Sequence, residues 1–362
     1  MMKFKKMTAL ALTGALAFGL CACGSSASTG STSSAQSTDE TTESTSENDA
    51  ASENTSTDDS DLKEINLVLD WYPNAIHTFL YEAIDNGYFA EEGLKVNLIS
   101  PADSVDALNF VASGKAEIGL SYPIETVQAV SNDMPVSALA AVTEEPIECF
   151  CSLKENTDIT SDLSSLKGKK IGYSGTASLE ATIKTITKNA GLTEDDYELI
   201  NIGFDIVTSL TTKSVDVVFG AFVNDEVVTM ENAGYELNVY YPEDYGVPDC
   251  YGLVMVVNKD SYTADPETYK GFLRACKKGF ADMIADEDQA LSVIMTDMNS
   301  DDNPLDEDQQ RQSYEILIQR MQTEDAEFLS MQEDQWQATI DWMKETELID
   351  KDLSASDVMV SE

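Results

Sequence analysis

Asp70, Trp71, Asn74 and His77 fall within eight positions of one another, and together they could grip a small polar ring. An indole offers a face for stacking, while a carboxylate, an amide and an imidazole supply directed donors and acceptors. Comparable groups recur at Ser121, Tyr122 and Glu125, at Ser174, Thr176, Ser178 and Glu180, at Phe222, Asn224 and Asp225, and at Asp249 and Tyr251. Binding is the chemistry such a set can do. Nucleophilic catalysis needs a base beside the nucleophile, and the chain has one histidine, no Ser-His-Asp arrangement and no phosphate loop. A lone histidine is commonly a structural hydrogen-bonding residue; if His77 touches a ligand instead, affinity should vary between about pH 5 and 7. The six cysteines (Cys21, Cys23, Cys149, Cys151, Cys250 and Cys276) include no Cys-x-x-Cys, and with a single histidine they do not make a zinc or iron site. No cofactor and no catalytic residue is expected.

These residues sit where apolar runs end. Runs bounded by turn residues predict strands at Ile65 to Leu69, Val96 to Ile99, Glu117 to Leu120, Val136 to Val142 and Ile147 to Leu153. After a break at Leu163 to Gly168, a second series runs through Lys169 to Tyr173, Glu198 to Ile202, Val215 to Phe219 and Leu237 to Tyr241, with helices at Thr176 to Asn189, Asp205 to Thr212 and Asn224 to Asn232. Leu253 to Val257 is the last strong strand signal. From Pro266 onward the spacing is helical, with Phe272, Cys276, Phe280 and Ile284 four residues apart, and Trp336 and Trp342 read as core. Strands alternating with helices argue a parallel α/β sheet whose ligands gather at the strands' carboxyl ends.

The body is long for one core and suits two lobes. A chain that starts one lobe, builds a second and returns crosses twice, here near Ile147 to Leu153 and Cys250 to Val257. The expected division gives 62–150 and 251–362 to lobe one and 151–250 to lobe two, with the crossings as a hinge able to close on a ligand. Cys149 and Cys151 point to one side of a strand, and Cys250 lies on the other crossing. A disulfide between crossings would lock the hinge, although buried free cysteine is the common state.

The first 61 residues have a different character. Lys3, Lys5 and Lys6, an apolar stretch from Met7 to Leu20, and Leu20-Cys21-Ala22-Cys23-Gly24 read as a secretory signal, residues 1–22, with small residues before the cysteine in the manner of a lipobox and Cys23 as the lipidated residue. Residues 23–61 are almost all Ser, Thr, Ala, Gly, Asn, Gln, Asp and Glu, a composition that buries no core and predicts a disordered tether to a membrane surface.

The formal charge is -44, from 22 basic and 66 acidic residues. Such a surface repels nucleic acid and anionic lipid, so membrane contact is expected through the lipid anchor alone. Arg274, Arg311 and Arg320, the three arginines, come after residue 273 and outside the stretches assigned to the cleft. Arginine is the usual partner of carboxylate, sulfonate and phosphate, so the pattern favours a neutral or cationic solute, although helix N-termini alone can hold an anion.

The signature Leu-Asp-Trp-x-Pro-Asn-x-x-His at 69–77, the turn Gly-Tyr-Phe-x-x-Glu-Gly-Leu at 87–94 and Ser121-Tyr122 resemble, in order and spacing, the NMT1/THI5-like solute-binding proteins of ABC importers, among them the thiamine-precursor binders. A looser likeness continues to about Ala285, through Lys167 to Tyr173 and Asp216 to Phe219. The resemblance implies an α/β, two-lobe periplasmic-binding-protein-like (type II) fold. It also implies a monomeric lipoprotein on the extracytoplasmic face of the cell membrane, handing its solute to ABC permease and ATPase subunits. That solute would be a small neutral heteroaromatic: a thiamine pyrimidine precursor, hydroxymethyl- or formylaminomethyl-pyrimidine. Riboflavin, another heteroaromatic or an alkanesulfonate is the alternative.

The implied contacts are Asp70, Trp71, Asn74, His77, Ser121, Tyr122, Glu180, Phe222, Asn224 and Tyr251, with Trp71 and Tyr122 as stacking surfaces. Glu180, in the first turn of a helix, matches a glutamate of the pyrimidine binders and could accept from an exocyclic amine, or serve only the helix dipole. A fungal branch of the same family makes the pyrimidine, using a lysine, a histidine four residues later and a cysteine-rich cluster. Ser121, Glu125 and Asp249 to Gly252 stand at those places here, so the resemblance does not extend to catalysis.

Overall fold

Ten strands among the described residues build two five-stranded sheets. β1 (Lys63–Val68), β2 (Leu94–Ile99), β3 (Ile118–Ser121), β4 (Val136–Ala141) and β10 (Val254–Asn258) lie in the order β2-β1-β3-β10-β4. β5 (Glu148–Leu153), β6 (Lys170–Tyr173), β7 (Glu198–Asn201), β8 (Val217–Phe222) and β9 (Leu237–Tyr240) lie in the order β7-β6-β8-β5-β9. The computed structural model describes residues 62–102, 106–203, 205–324 and 326–360, all within one unit of the chain, Thr55–Glu362. The expected signal segment, the tether and Cys23 lie outside them. Among the described residues no helix is long and apolar enough to cross a membrane.

The two sheets repeat one plan. β1 pairs in parallel with β2 and β3, and β10 runs antiparallel between β3 and β4. Likewise β6 pairs in parallel with β7 and β8, while β5 runs antiparallel between β8 and β9. The antiparallel member of each sheet is thus the strand that has just arrived from the other lobe. Strands covered on both faces read as continuous apolar runs, and the residues of β4 are all buried.

The crossings fall slightly earlier than expected. All six residues of β5 belong to the second sheet, so a boundary after residue 150 would cut through it. The connecting segments are 142–147 and 241–253, and they run side by side. Val142 N–H donates to Leu253 O at 2.8 Å, and Leu253 N–H donates to Thr143 Oγ1 at 2.8 Å. Cys149, Cys151, Cys250 and Cys276 are free thiols, so no disulfide joins the crossings.

Helices cover the sheets. The helix Pro266–Ala285 packs on the helix Thr78–Asp85 closely enough that a Cβ at Gly279 would lie 2.2 Å from Phe79 O. Phe272, Cys276 and Phe280 are buried as expected, but Ile284 is 46% exposed and Met283 takes its place in the core. Twelve helical residues turn about 1200°, so position 284 has drifted about 120° from the stripe that Phe272 begins, whereas position 283 is only about 20° off it. Trp336 and Trp342 are buried, and Trp342 Nε1 donates to Thr185 Oγ1 of the second lobe at 3.0 Å.

Candidate functional site

Three of the expected residues form one hydrogen-bonded unit beyond the carboxyl ends of β1 and β3. Asp70 Oδ1 lies 2.9 Å from His77 Nε2, and Asp70 Oδ2 accepts from Tyr122 OH at 3.0 Å. His77 is fully buried, and its Nδ1 accepts the Asn74 backbone N–H at 3.2 Å. That contact fixes the neutral tautomer with the proton on Nε2, so the imidazole donates to the carboxylate. The Asn74 side chain is also committed: its Oδ1 caps the short helix Ala75–His77 by accepting from Ile76 N–H, and its Nδ2 donates to Tyr72 O. Asp70, Asn74 and His77 therefore satisfy one another and the backbone, and their visible product is a fixed Tyr122. Burial first and the Asp70 charge second push the Tyr122 phenol well above its ordinary range, so it stays a hydrogen-bond donor.

Tyr122 meets the other lobe. Its ring and that of Phe222, which ends β8, have centroids 6.1 Å apart at 36°, so two aromatic faces from opposite sheets form a corner. Glu125, in the helix Pro123–Ser131, accepts from Ser178 Oγ of the second lobe at 3.2 Å.

Beside this corner, with the expected Glu125, stand two carboxylates that the sequence did not single out, Glu148 and Glu226. Glu148 opens β5, and burial, then Glu125 and Glu226, raise its carboxyl to about 8. Glu226 accepts Phe222 N–H at 2.8 Å, and burial followed by Asp225 raises it to about 7. Burial also raises Glu125. All three keep partial exposure, although desolvation is the first cause of each shift. Cys250 shares these surroundings, its thiol pushed up to about 12 by burial and then by Glu148. Glu148 stands at the head of an apolar run, and a lone acid in that position is the signal that could have found it.

The other expected residues have surroundings of their own. Trp71 is 43% exposed and packs edge-on against Tyr72 at 5.9 Å. Glu180 pairs with Lys184 at 2.8 Å, one helical turn on, and lines a separate cavity of about 510 Å³ with Lys188 and Trp342. Tyr251 is core: its ring packs on Trp336 at 5.6 Å and its hydroxyl accepts Gln332 N–H at 2.6 Å, with 2% of the residue exposed. Ser121 is buried in β3. Asn224 Nδ2 donates to Ser313 Oγ at 3.2 Å, and its Oδ1 is buried with no partner among the described residues. Arg320, set apart from the cleft by sequence, reaches the crossings, where its guanidinium bonds Pro146 O and lies 4.8 Å over the Tyr241 ring. Among the described residues no group of three or more histidine, cysteine or acidic side chains is placed to hold a metal ion.

A family model described as NMT1/THI5 like matches residues 74–290. The chain belongs to the NMT1/THI5-like family. A curated relative, the formylaminopyrimidine-binding protein of Halalkalibacterium halodurans, is 33% identical over 85% of this chain and 93% of its own length. An enzyme is similar as well: the 4-amino-5-hydroxymethyl-2-methylpyrimidine phosphate synthase of Aspergillus parasiticus is 31% identical over 65% of this chain and 70% of its own length. Among solved structures, the periplasmic aliphatic sulphonate binding protein of Escherichia coli superposes with a TM-score of 0.65 at 12% identity, covering 82% of this chain and 97% of that one. At that identity the likeness is one of fold, the periplasmic-binding-protein fold. This NMT1/THI5-like chain thus shares its architecture with binders and its sequence with both a binder and a synthase.

Proposed function

We propose that this chain is the solute-binding component of an ABC importer and takes an aminopyrimidine of the thiamine-precursor type between its lobes, with the relative's formylaminopyrimidine as the first candidate. The observation that carries this reading is the Tyr122–Phe222 corner, built from both sheets and flanked by Glu125, Glu148 and Glu226. A planar ring gains stacking area on such faces, and carboxyl groups raised as Glu148 and Glu226 are, to about 8 and about 7, can both accept from an exocyclic amine and donate to a ring nitrogen. Three acids around one recess favour a neutral or cationic solute over an anion. No catalytic step belongs to this reading, because Ser121 and Glu125 stand where the synthase branch is expected to carry lysine and histidine. In the same reading the protein is a monomer, held on the extracytoplasmic face of the cell membrane by lipid on Cys23 and delivering its solute to permease and ATPase subunits.

Titration calorimetry with formylaminomethyl-pyrimidine and hydroxymethyl-pyrimidine tests the assignment. Saturable one-to-one binding is expected, with Tyr122→Ala weakening it at least about tenfold through lost stacking. Silence toward both pyrimidines, with salt-sensitive binding of an alkanesulfonate, would replace this solute by an anion.

A further inference from the structure

The helix Glu307–Met321 bonds to both lobes and to both crossings. Toward the first lobe, Gln310 Oε1 accepts the Ala75 N–H at 3.0 Å, and just before the helix Asn303 Nδ2 donates to Pro73 O at 2.8 Å. Both contacts pin the loop that carries Asp70 and His77. Toward the second lobe, Gln309 Nε2 donates to Asp225 Oδ1 at 3.0 Å and Thr229 Oγ1 at 2.9 Å, Gln312 Nε2 donates to Asn232 Oδ1 at 3.0 Å, and Ser313 Oγ accepts from Asn224 Nδ2 at 3.2 Å. Residues 309, 312 and 313 share one helical face, and residue 310 lies about 100° around the barrel, so one rod faces both lobes. At its far end Arg320 pairs with Glu145 on one crossing at 3.5 Å and covers Tyr241 on the other.

We infer that this helix is the latch of the cleft: Gln309 and Ser313 are positioning residues that set solute affinity by holding the second lobe against the first, without touching the solute. The inference rests on the reading that the solute is bound by closure of the lobes. The bonds made by Gln310, Asn303 and the 70–77 loop lie within the first lobe and survive its separation from the second. Those of Gln309, Gln312 and Ser313 must break when the lobes part. Each is polar, so water replaces it on opening, and each shifts the closing equilibrium by about two- to twelvefold. Apparent affinity falls in proportion to the closed population. The helix also places the latch beside Asp225, Glu226 and Phe222, which ties closure directly to assembly of the aromatic corner.

The test combines Gln309→Ala with Ser313→Ala and reads two quantities, with Glu315→Ala on the exposed side of the same helix as control. Small-angle X-ray scattering of the solute-free protein should show a larger radius of gyration for the double variant than for wild type, and calorimetry should show solute affinity about 10- to 100-fold weaker, from the bonds removed. Saturating solute should return the scattering curve to that of the wild type, and the control should change neither quantity. If the double variant does not fold, Gln309→Glu, which opposes Asp225 with a like charge, takes its place and should open the cleft in the same way. A radius or an affinity equal to that of the wild type overturns the latch. If no pyrimidine binds the wild type, the solute assignment fails by itself, and the solute-free scattering still decides the latch.

Discussion

Asp70 receives a donor on each carboxylate oxygen, and that sets how its replacements rank. In Asp70→Asn the remaining carbonyl can accept from His77 Nε2, while the amide nitrogen can donate to the Tyr122 oxygen. The loss is that of charge assistance, about 1–2 kcal/mol. Asp70→Leu leaves a buried N–H and a buried O–H without partners, and about 3–5 kcal/mol is expected. Urea denaturation of both variants checks the order, and equal losses would show that the unit does not hold Tyr122 through hydrogen bonds. Tyr122→Phe keeps the ring and removes one donor, so it should lower stability by about 1–3 kcal/mol while costing less solute affinity than Tyr122→Ala. Sequence made this cluster visible, because Asp70, Asn74 and His77 follow a strand in a recognisable spacing. It did not reveal that they bond to one another, since a side chain's partner is settled in three dimensions. Glu180 shows the same limit, because its helix position suits a ligand and an i,i+4 lysine equally. Gln309 and Gln310 left no trace, being polar residues on an amphipathic helix like many others.

At the scale of elements, the strands were legible and their sheet membership was less so. Each apolar run named from sequence became a strand, and for the fully buried ones, such as β3 and β4, burial on both faces leaves a signal that needs no partner to be read. The exception in length is β8, which continues past Phe219 to Phe222 and so delivers the aromatic that meets Tyr122. The crossings were placed a few residues late, since an apolar run such as Ile147 to Leu153 announces a strand without saying which sheet it joins. What sequence could not supply is the contact between the crossings. Gly252 N–H donates to Thr143 O at 3.3 Å, and a Cβ there would lie 2.4 Å from Thr143 Oγ1 and 2.7 Å from Glu145 O. Backbone cannot yield as a side-chain tip does, so Gly252→Ala should cost about 1–3 kcal/mol by overpacking. A thermal melt unchanged by this variant would mean that the two segments are not held together in solution.

For the molecule as a whole, the raised carboxyls make stability depend on pH in a direction that can be worked out. Glu148 is raised to about 8, Glu226 to about 7 and Glu144 to about 7, each chiefly by burial. Around Glu148 the facing ionisable groups are Glu125, Glu226, Cys250 and Tyr122, none of them cationic at neutral pH. Below about pH 4.5 these acids are protonated whether the chain is folded or not, and they cost nothing. As pH rises toward 8 the unfolded chain loses the protons first, the folded state holds them, and stability falls. Unfolding free energy should therefore be lower at pH 8.5 than at pH 6, and Glu148→Gln should recover on the order of 2–4 kcal/mol at the higher pH, allowing for the solvent that still reaches the group. Carboxyls held low, such as Glu92 beside Arg274 and Asp265 beside Lys63, act oppositely but below pH 4.5, outside this window. General repulsion in a chain of formal charge -44 has the same sign as the Glu148 effect, so salt must separate them. Added salt should flatten the repulsive part and leave the difference between wild type and Glu148→Gln in place, because a desolvated carboxyl is screened little. A difference that vanishes at 1 M salt would assign the pH dependence to the surface and remove Glu148 from the recess.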